Sequence, residues 1–157
     1  MSTDMKRRIF LKGSLASSAL GIALGAGLLT PQSVLAAWNK DAFTAKKAED
    51  AIGALLGNAV TEASDAVEIK APDIAENGAV VPITVTTTLA AESISILAAD
   101  NPMPLTSTFV LGEGAEGFIS TRIKMSKTSD VIAVVKAGGK LYSARKSVKV
   151  TIGGCGG

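Results

Sequence analysis

The only cysteine of this 157-residue chain is Cys155, and it sits in the terminal run Gly153-Gly154-Cys155-Gly156-Gly157. A thiolate is a nucleophile that can hold a covalent cargo, and a free thiol with a pKa of about 8.5 is a few per cent thiolate at neutral pH. Gly153, Gly154, Gly156 and Gly157 bring no side chain to pack and the greatest backbone freedom. The run therefore reads as a flexible arm that presents one sulfur to something else. Five residues at roughly 3.3–3.6 Å each reach at most about 16–18 Å, enough to enter another protein's active site.

The rest of the chain offers little competing chemistry. It contains no histidine, which removes the usual Ser/His and Cys/His couples and the commonest metal ligand. One cysteine cannot build a zinc site. No glycine-rich loop joins a strand to a helix to cradle phosphate, and the carboxylates are scattered. The sequence predicts no metal, no cofactor and no self-sufficient enzyme.

Cys155 itself has several readings. A disulfide within the chain needs a second cysteine. Prenylation needs the cysteine fourth from the end, and here it is third. A bacterial lipoprotein cysteine would directly follow the signal. A buried inert thiol conflicts with the four flanking glycines. Three readings stay open: covalent carriage on the thiol, an intermolecular disulfide on a structural periplasmic sandwich, and a thiocarboxylate-type sulfur carrier ending in Gly156-Gly157. The last requires nucleotide-driven activation in the cytoplasm and a helix set between strands.

The N-terminus bears on that choice. Residues 1–36 read as a removable export signal. Lys6, Arg7, Arg8 and Lys12 form a basic start, no charge falls between Gly13 and Leu29, and Val34-Leu35-Ala36 resembles a cleavage site. The uncharged run is short for a span of about 20 residues, so no membrane anchor is expected once the signal is removed. Arg7-Arg8 followed by Ile9-Phe10-Leu11-Lys12 looks like a twin-arginine signal, which implies export of a folded protein to the periplasm. Of the 16 basic and 14 acidic residues, four basic and one acidic lie in this segment, leaving 12 and 13 in the mature part. With no basic stripe and 4% aromatics, nucleic-acid binding is not expected.

Residues 37–152 must then position the arm. Ala45, Ala48, Ile52, Leu55, Leu56 and Ala59 recur at helical spacing, with Asn39 or Asp41 as a cap and Gly57 as a stop. Beyond them the pattern is β. Strands are predicted at Val67–Ile69, Val81–Leu89, Ser93–Ala98, Thr106–Leu111, Phe118–Lys127, Val131–Lys136 and Leu141–Ile152. Thr128-Ser129-Asp130 reads as a turn, and Gly138-Gly139 as a two-residue hairpin. Val131–Val135 does not alternate, so both its faces should be covered. Seven close strands predict an immunoglobulin-like antiparallel β-sandwich preceded by an N-terminal helix. The last strand feeds almost directly into the arm at 153–157.

The twin-arginine signal, the small β-rich domain and the terminal Gly-Gly-Cys-Gly-Gly together resemble the SoxY family, the sulfur-carrier subunits of bacterial thiosulfate oxidation. The resemblance implies that Cys155 is the attachment point for thiosulfate-derived sulfur. It implies a heterodimer with SoxZ. It also implies transient visits to a thiosulfate-conjugating cytochrome, a thiosulfohydrolase and, where present, a sulfane dehydrogenase. The sequence does not mark the SoxZ interface.

Overall fold

The computed structural model describes residues 39–151. It opens with two short helices where the spacing predicts one. α1 spans Lys40–Thr44 and α2 spans Ala48–Leu56. Asn39 caps α1, its side-chain oxygen accepting from the Ala42 N–H at 3.1 Å. Its amide nitrogen donates to the Ala54 carbonyl at 2.6 Å, tying the start of α1 to α2. Ala45 and Lys47 take extended backbone angles and break the helix between them. The break lets Ala42 and the Ala48/Ala51/Ile52 face reach the same sheet. Gly57 ends α2 in the left-handed region at φ 77°, donating to the Gly53 carbonyl at 2.9 Å, as glycine after a helix commonly does.

Nine strands follow: β1 Glu62–Ala63, β2 Val67–Lys70, β3 Ile74–Ala75, β4 Val81–Thr87, β5 Ser93–Ala98, β6 Leu105–Val110, β7 Phe118–Ile123, β8 Ser129–Ala137 and β9 Lys140–Val150. The larger sheet has the order β1-β9-β8-β5-β6, with β3 also on β9. The smaller has the order β2-β4-β7. The protein is thus mainly β, a two-sheet sandwich behind a short helical N-terminus. All long pairs are antiparallel; β1 and β3 run parallel to β9. These two-residue strands escape sequence reading because they are too short for a period. They arise because one edge segment joins the large sheet as β1, crosses to the small sheet as β2 and returns as β3.

The larger sheet is covered on both faces. Between the sheets lie Val81, Ile83 and Val85 of β4, Ile94 and Ile96 of β5, and Val131, Ala133 and Val135 of β8. On the opposite face Leu97, Leu105, Ile132, Val134 and Leu141 meet α1 and α2. This explains why β8 shows no alternation: its odd and even residues fill two different cores. Burying each such Val, Leu or Ile stabilises the fold by about 1.5–3 kcal/mol before the entropy of ordering it.

Several predicted boundaries move for local reasons. β4 stops at Thr87, whose hydroxyl accepts from the Leu89 N–H at 3.2 Å and turns the chain. β7 stops at Ile123, after which Asn101 grips the Lys124 carbonyl and the Ser126 N–H, each at 2.8 Å. Ser129 and Asp130 belong to β8 and not to a turn; Ser129 pairs with Val148, and its hydroxyl accepts from the Asp100 N–H at 3.0 Å. The Gly138-Gly139 turn is present, with φ of 56° and 76°, the positive pair that a type I′ hairpin requires.

Candidate functional site

Cys155, Gly153, Gly154, Gly156 and Gly157 lie outside the described residues, as do Arg7 and Arg8. The structure describes the end of β9, the root of the segment that carries Cys155. β9 has β8 on one edge from Lys140 to Val148 and, on the other, β1 and then β3 for two residues each. Toward its end Val148 still pairs with Ser129 and is fully buried. Beyond that point other elements take over. β3 lies beside it with Ile74 opposite Lys149 and Ala75 opposite Val150. The Lys149 N–H donates to the Asp73 carbonyl at 2.9 Å, and the Thr151 N–H to the Ala75 carbonyl at 3.1 Å. On the other edge the Val150 N–H donates to the Thr128 hydroxyl at 3.0 Å.

Close backbone approach at the root explains Gly78. A Cβ there would stand 2.5 Å from the Met125 carbonyl oxygen and 2.8 Å from Val150 Cγ1. The Met125 N–H donates to the Gly78 carbonyl at 2.7 Å, so the loops before β4 and after β7 are stitched together under β9. Asp73, Ala75, Gly78 and Thr128 were not marked by the sequence. In the sequence Thr128 reads only as part of a turn.

The electrostatics of the root are mild. Lys146 on β9 meets Asp73 at 3.1 Å. A notch of about 620 Å³ opens along β9 where the edge segment leaves the large sheet, lined in part by Asp65, Glu68, Ser143 and Arg145. It mixes both signs of charge and contains no nucleophile paired to a base. Among the described residues no three His, Cys, Asp or Glu side chains gather as a metal site, and no helix is long and apolar enough to cross a membrane. Far from the root, Glu92, beside the Gly138-Gly139 hairpin, is held below the ordinary carboxylate range, chiefly by its hydrogen bond to the Lys136 ammonium.

A family described as sulfur oxidation protein SoxY matches residues 52–155. The solved structure of the sulfur carrier protein SoxY from Chlorobium limicola f thiosulfatophilum is 45% identical. That match covers 72% of this chain and 99% of the Chlorobium chain, with a TM-score of 0.62. No curated protein matches the chain. The two-sheet sandwich and these likenesses define a sulfur-oxidation protein. More narrowly, the chain belongs to the SoxY family.

Proposed function

We propose that the chain is a periplasmic sulfur carrier that holds thiosulfate-derived intermediates on Cys155 and presents them to partner enzymes. One observation carries the reading. The family match runs to residue 155, and that residue is the only thiol, framed by Gly153, Gly154, Gly156 and Gly157. Cys155 lies four residues beyond Thr151, where the end of β9 is held by hydrogen bonds, which supplies the fixed base that a carrier thiol needs.

The chemistry asks little of this chain beyond a thiolate. In the first step Cys155 Sγ bonds to the outer sulfur of thiosulfate, giving Cys–S–S–SO₃⁻, and the two electrons released pass to the conjugating cytochrome. Water then attacks the sulfone at the thiosulfohydrolase, releasing sulfate and leaving the persulfide Cys–S–S⁻. A sulfane dehydrogenase can remove six further electrons while the outer sulfur takes three oxygens from water, giving Cys–S–SO₃⁻, and a second hydrolysis releases sulfate and frees the thiol. The cargo stays on one sulfur while the enzymes change, so the handle must be narrow. The chain acts as carrier, with SoxZ as its heterodimer partner, and the reactions belong to the visited enzymes. The Arg7-Arg8 signal favours export of the folded pair by the twin-arginine route.

Intact mass of protein isolated from cells oxidising thiosulfate tests the reading, with a Cys155→Ser control. Thiosulfonate, persulfide or sulfonate masses that vanish in the control support carriage. A bare thiol or a disulfide dimer alone, under growth that depends on thiosulfate, would refute it.

A further inference from the structure

We infer that Thr128 is a positioning residue: its hydroxyl latches the end of β9 and so sets the point from which the arm swings. The inference rests on the carrier reading above.

The β8–β9 register begins with Ser129 opposite Val148. Continued by two residues, it would set Lys127 opposite Val150. β8 does not extend that far, so Val150 has no strand beside it on that edge. The Thr128 side chain fills the place. Its hydroxyl accepts from the Val150 N–H at 3.0 Å and donates to the Val150 carbonyl at a weaker 3.4 Å. A single side chain thus answers both backbone groups that a strand partner would have answered. On the opposite edge the Ala75 carbonyl accepts from the Thr151 N–H at 3.1 Å. The two supports alternate, Thr128 on Val150 and Ala75 on Thr151. Val150 is also wedged against Gly78, where a Cβ would come within 2.8 Å of its Cγ1.

The latch has a consequence for delivery. Cys155 lies four residues beyond Thr151, a reach of at most roughly 13–14 Å. Without Thr128 the strand end is held from the β3 edge alone; in the limit where Val150 and Thr151 both fray, the tether grows to six residues and gains up to about 7 Å. A longer tether dilutes its cargo at a site on a docked partner, with effective concentration falling roughly as the −3/2 power of length. For four residues becoming six, that is about twofold. The latch therefore keeps Val150 in the strand and the tether to Cys155 short.

The test compares Thr128→Val, which keeps the shape and removes the hydroxyl, with Thr128→Ser, which keeps the hydroxyl. Both are made in the full mature chain. Amide exchange is read at Val150 and Thr151, with Val134 at the centre of β8 as the global reference. The thiosulfohydrolase is then assayed with protein loaded on Cys155. Thr128→Val should speed exchange at Val150 by about two- to tenfold, the range expected for one lost hydrogen bond, with a smaller effect at Thr151, whose bond to Ala75 remains, and leave Val134 unchanged. The apparent KM should rise by up to about twofold with kcat unchanged, and Thr128→Ser should restore both. Equal acceleration at Val134 would mean a merely structural residue and would overturn the inference. So would unchanged exchange at Val150, or an unchanged KM with Val150 released. An absence of any adduct on wild-type Cys155 would instead sink the carrier reading, and the latch's part in delivery with it, whatever the exchange data give.

Discussion

Glu92 and Lys136 meet at 2.9 Å where β5 begins against β8. The Glu92 N–H also donates to the Lys136 carbonyl at 2.7 Å, so this residue is tied to the end of β8 by backbone and side chain. Lys136, by hydrogen bond and by charge, lowers the Glu92 pKa, and the nearby Gly138 and Gly139 backbone adds to the effect. A carboxyl whose folded pKa is depressed stabilises the fold fully above its unfolded pKa, and the contribution is lost as pH falls through the folded value. Glu92→Gln should therefore lower the thermal midpoint at pH 7. The gap to wild type should close progressively below about pH 4.3, the ordinary glutamate value. Thermal melts of both proteins from pH 7 to pH 3 check this. A gap that is constant with pH would mean that packing and not charge is at stake.

The two cores flanking the larger sheet can be probed by neighbouring residues on one strand. Ile96 and Leu97 are adjacent on β5 and both fully buried. Ile96 points between the sheets and Leu97 toward α1 and α2. Each, cut to alanine, should cost about 2–5 kcal/mol in urea unfolding. Leu97→Ala alone should loosen the helices, seen as faster amide exchange at Ala51 and Ile52. Val110, 85% exposed on edge strand β6, should tolerate alanine within about 0.5 kcal/mol.

These particulars show what the sequence could convey. Punctuation read well where one residue type meets one backbone demand: Asn39 caps, Gly57 stops, Gly138-Gly139 turns. The unbroken apolar run of Val131–Val135 revealed a doubly covered strand, because burial on both faces erases alternation. What failed to show was what depends on distant partners. The break at Ala45–Lys47 follows from the sheet that both helices must reach. β1 and β3 exist because β9 is there to receive them. Thr128 is indistinguishable from a turn residue until Val150 is seen beside it. The proposed carrier position, Cys155, was the most legible of all, because a lone thiol among glycines needs no fold to be conspicuous, while the contacts at the end of β9 were invisible.

Gly78 tests that root directly. An added Cβ would have to displace the Met125 carbonyl or Val150. The first is backbone and cannot turn away cheaply, so Gly78→Ala should destabilise by about 1–3 kcal/mol, as other overpacked sites do. The disturbance should centre on residues 125 and 150. Chemical-shift changes there, with β5 amides unmoved, would match. A variant as stable as wild type would mean that the loop can slide and that the root is softer than its contacts imply.

The arm glycines make the sharpest prediction of the carrier reading. A small reagent needs only an exposed thiol, whereas a partner enzyme must admit the chain on either side of it. Gly154→Val or Gly156→Val should therefore leave the alkylation rate of Cys155 by iodoacetamide within about twofold of wild type, since the thiol still has open flanks. Single-turnover release of sulfate by the thiosulfohydrolase should slow at least about tenfold, equivalent to ~1.4 kcal/mol on the barrier. Valine does this in two ways: its branched side chain widens the arm, and it restricts the backbone angles that glycine leaves free. Ala at the same positions should fall between, since it adds one carbon and less restriction. Equal slowing of alkylation and turnover would show that the substitutions bury or misdirect the thiol itself. Normal turnover with valine at both positions would remove the reason for the glycines and, with it, the picture of a narrow arm entering an active site.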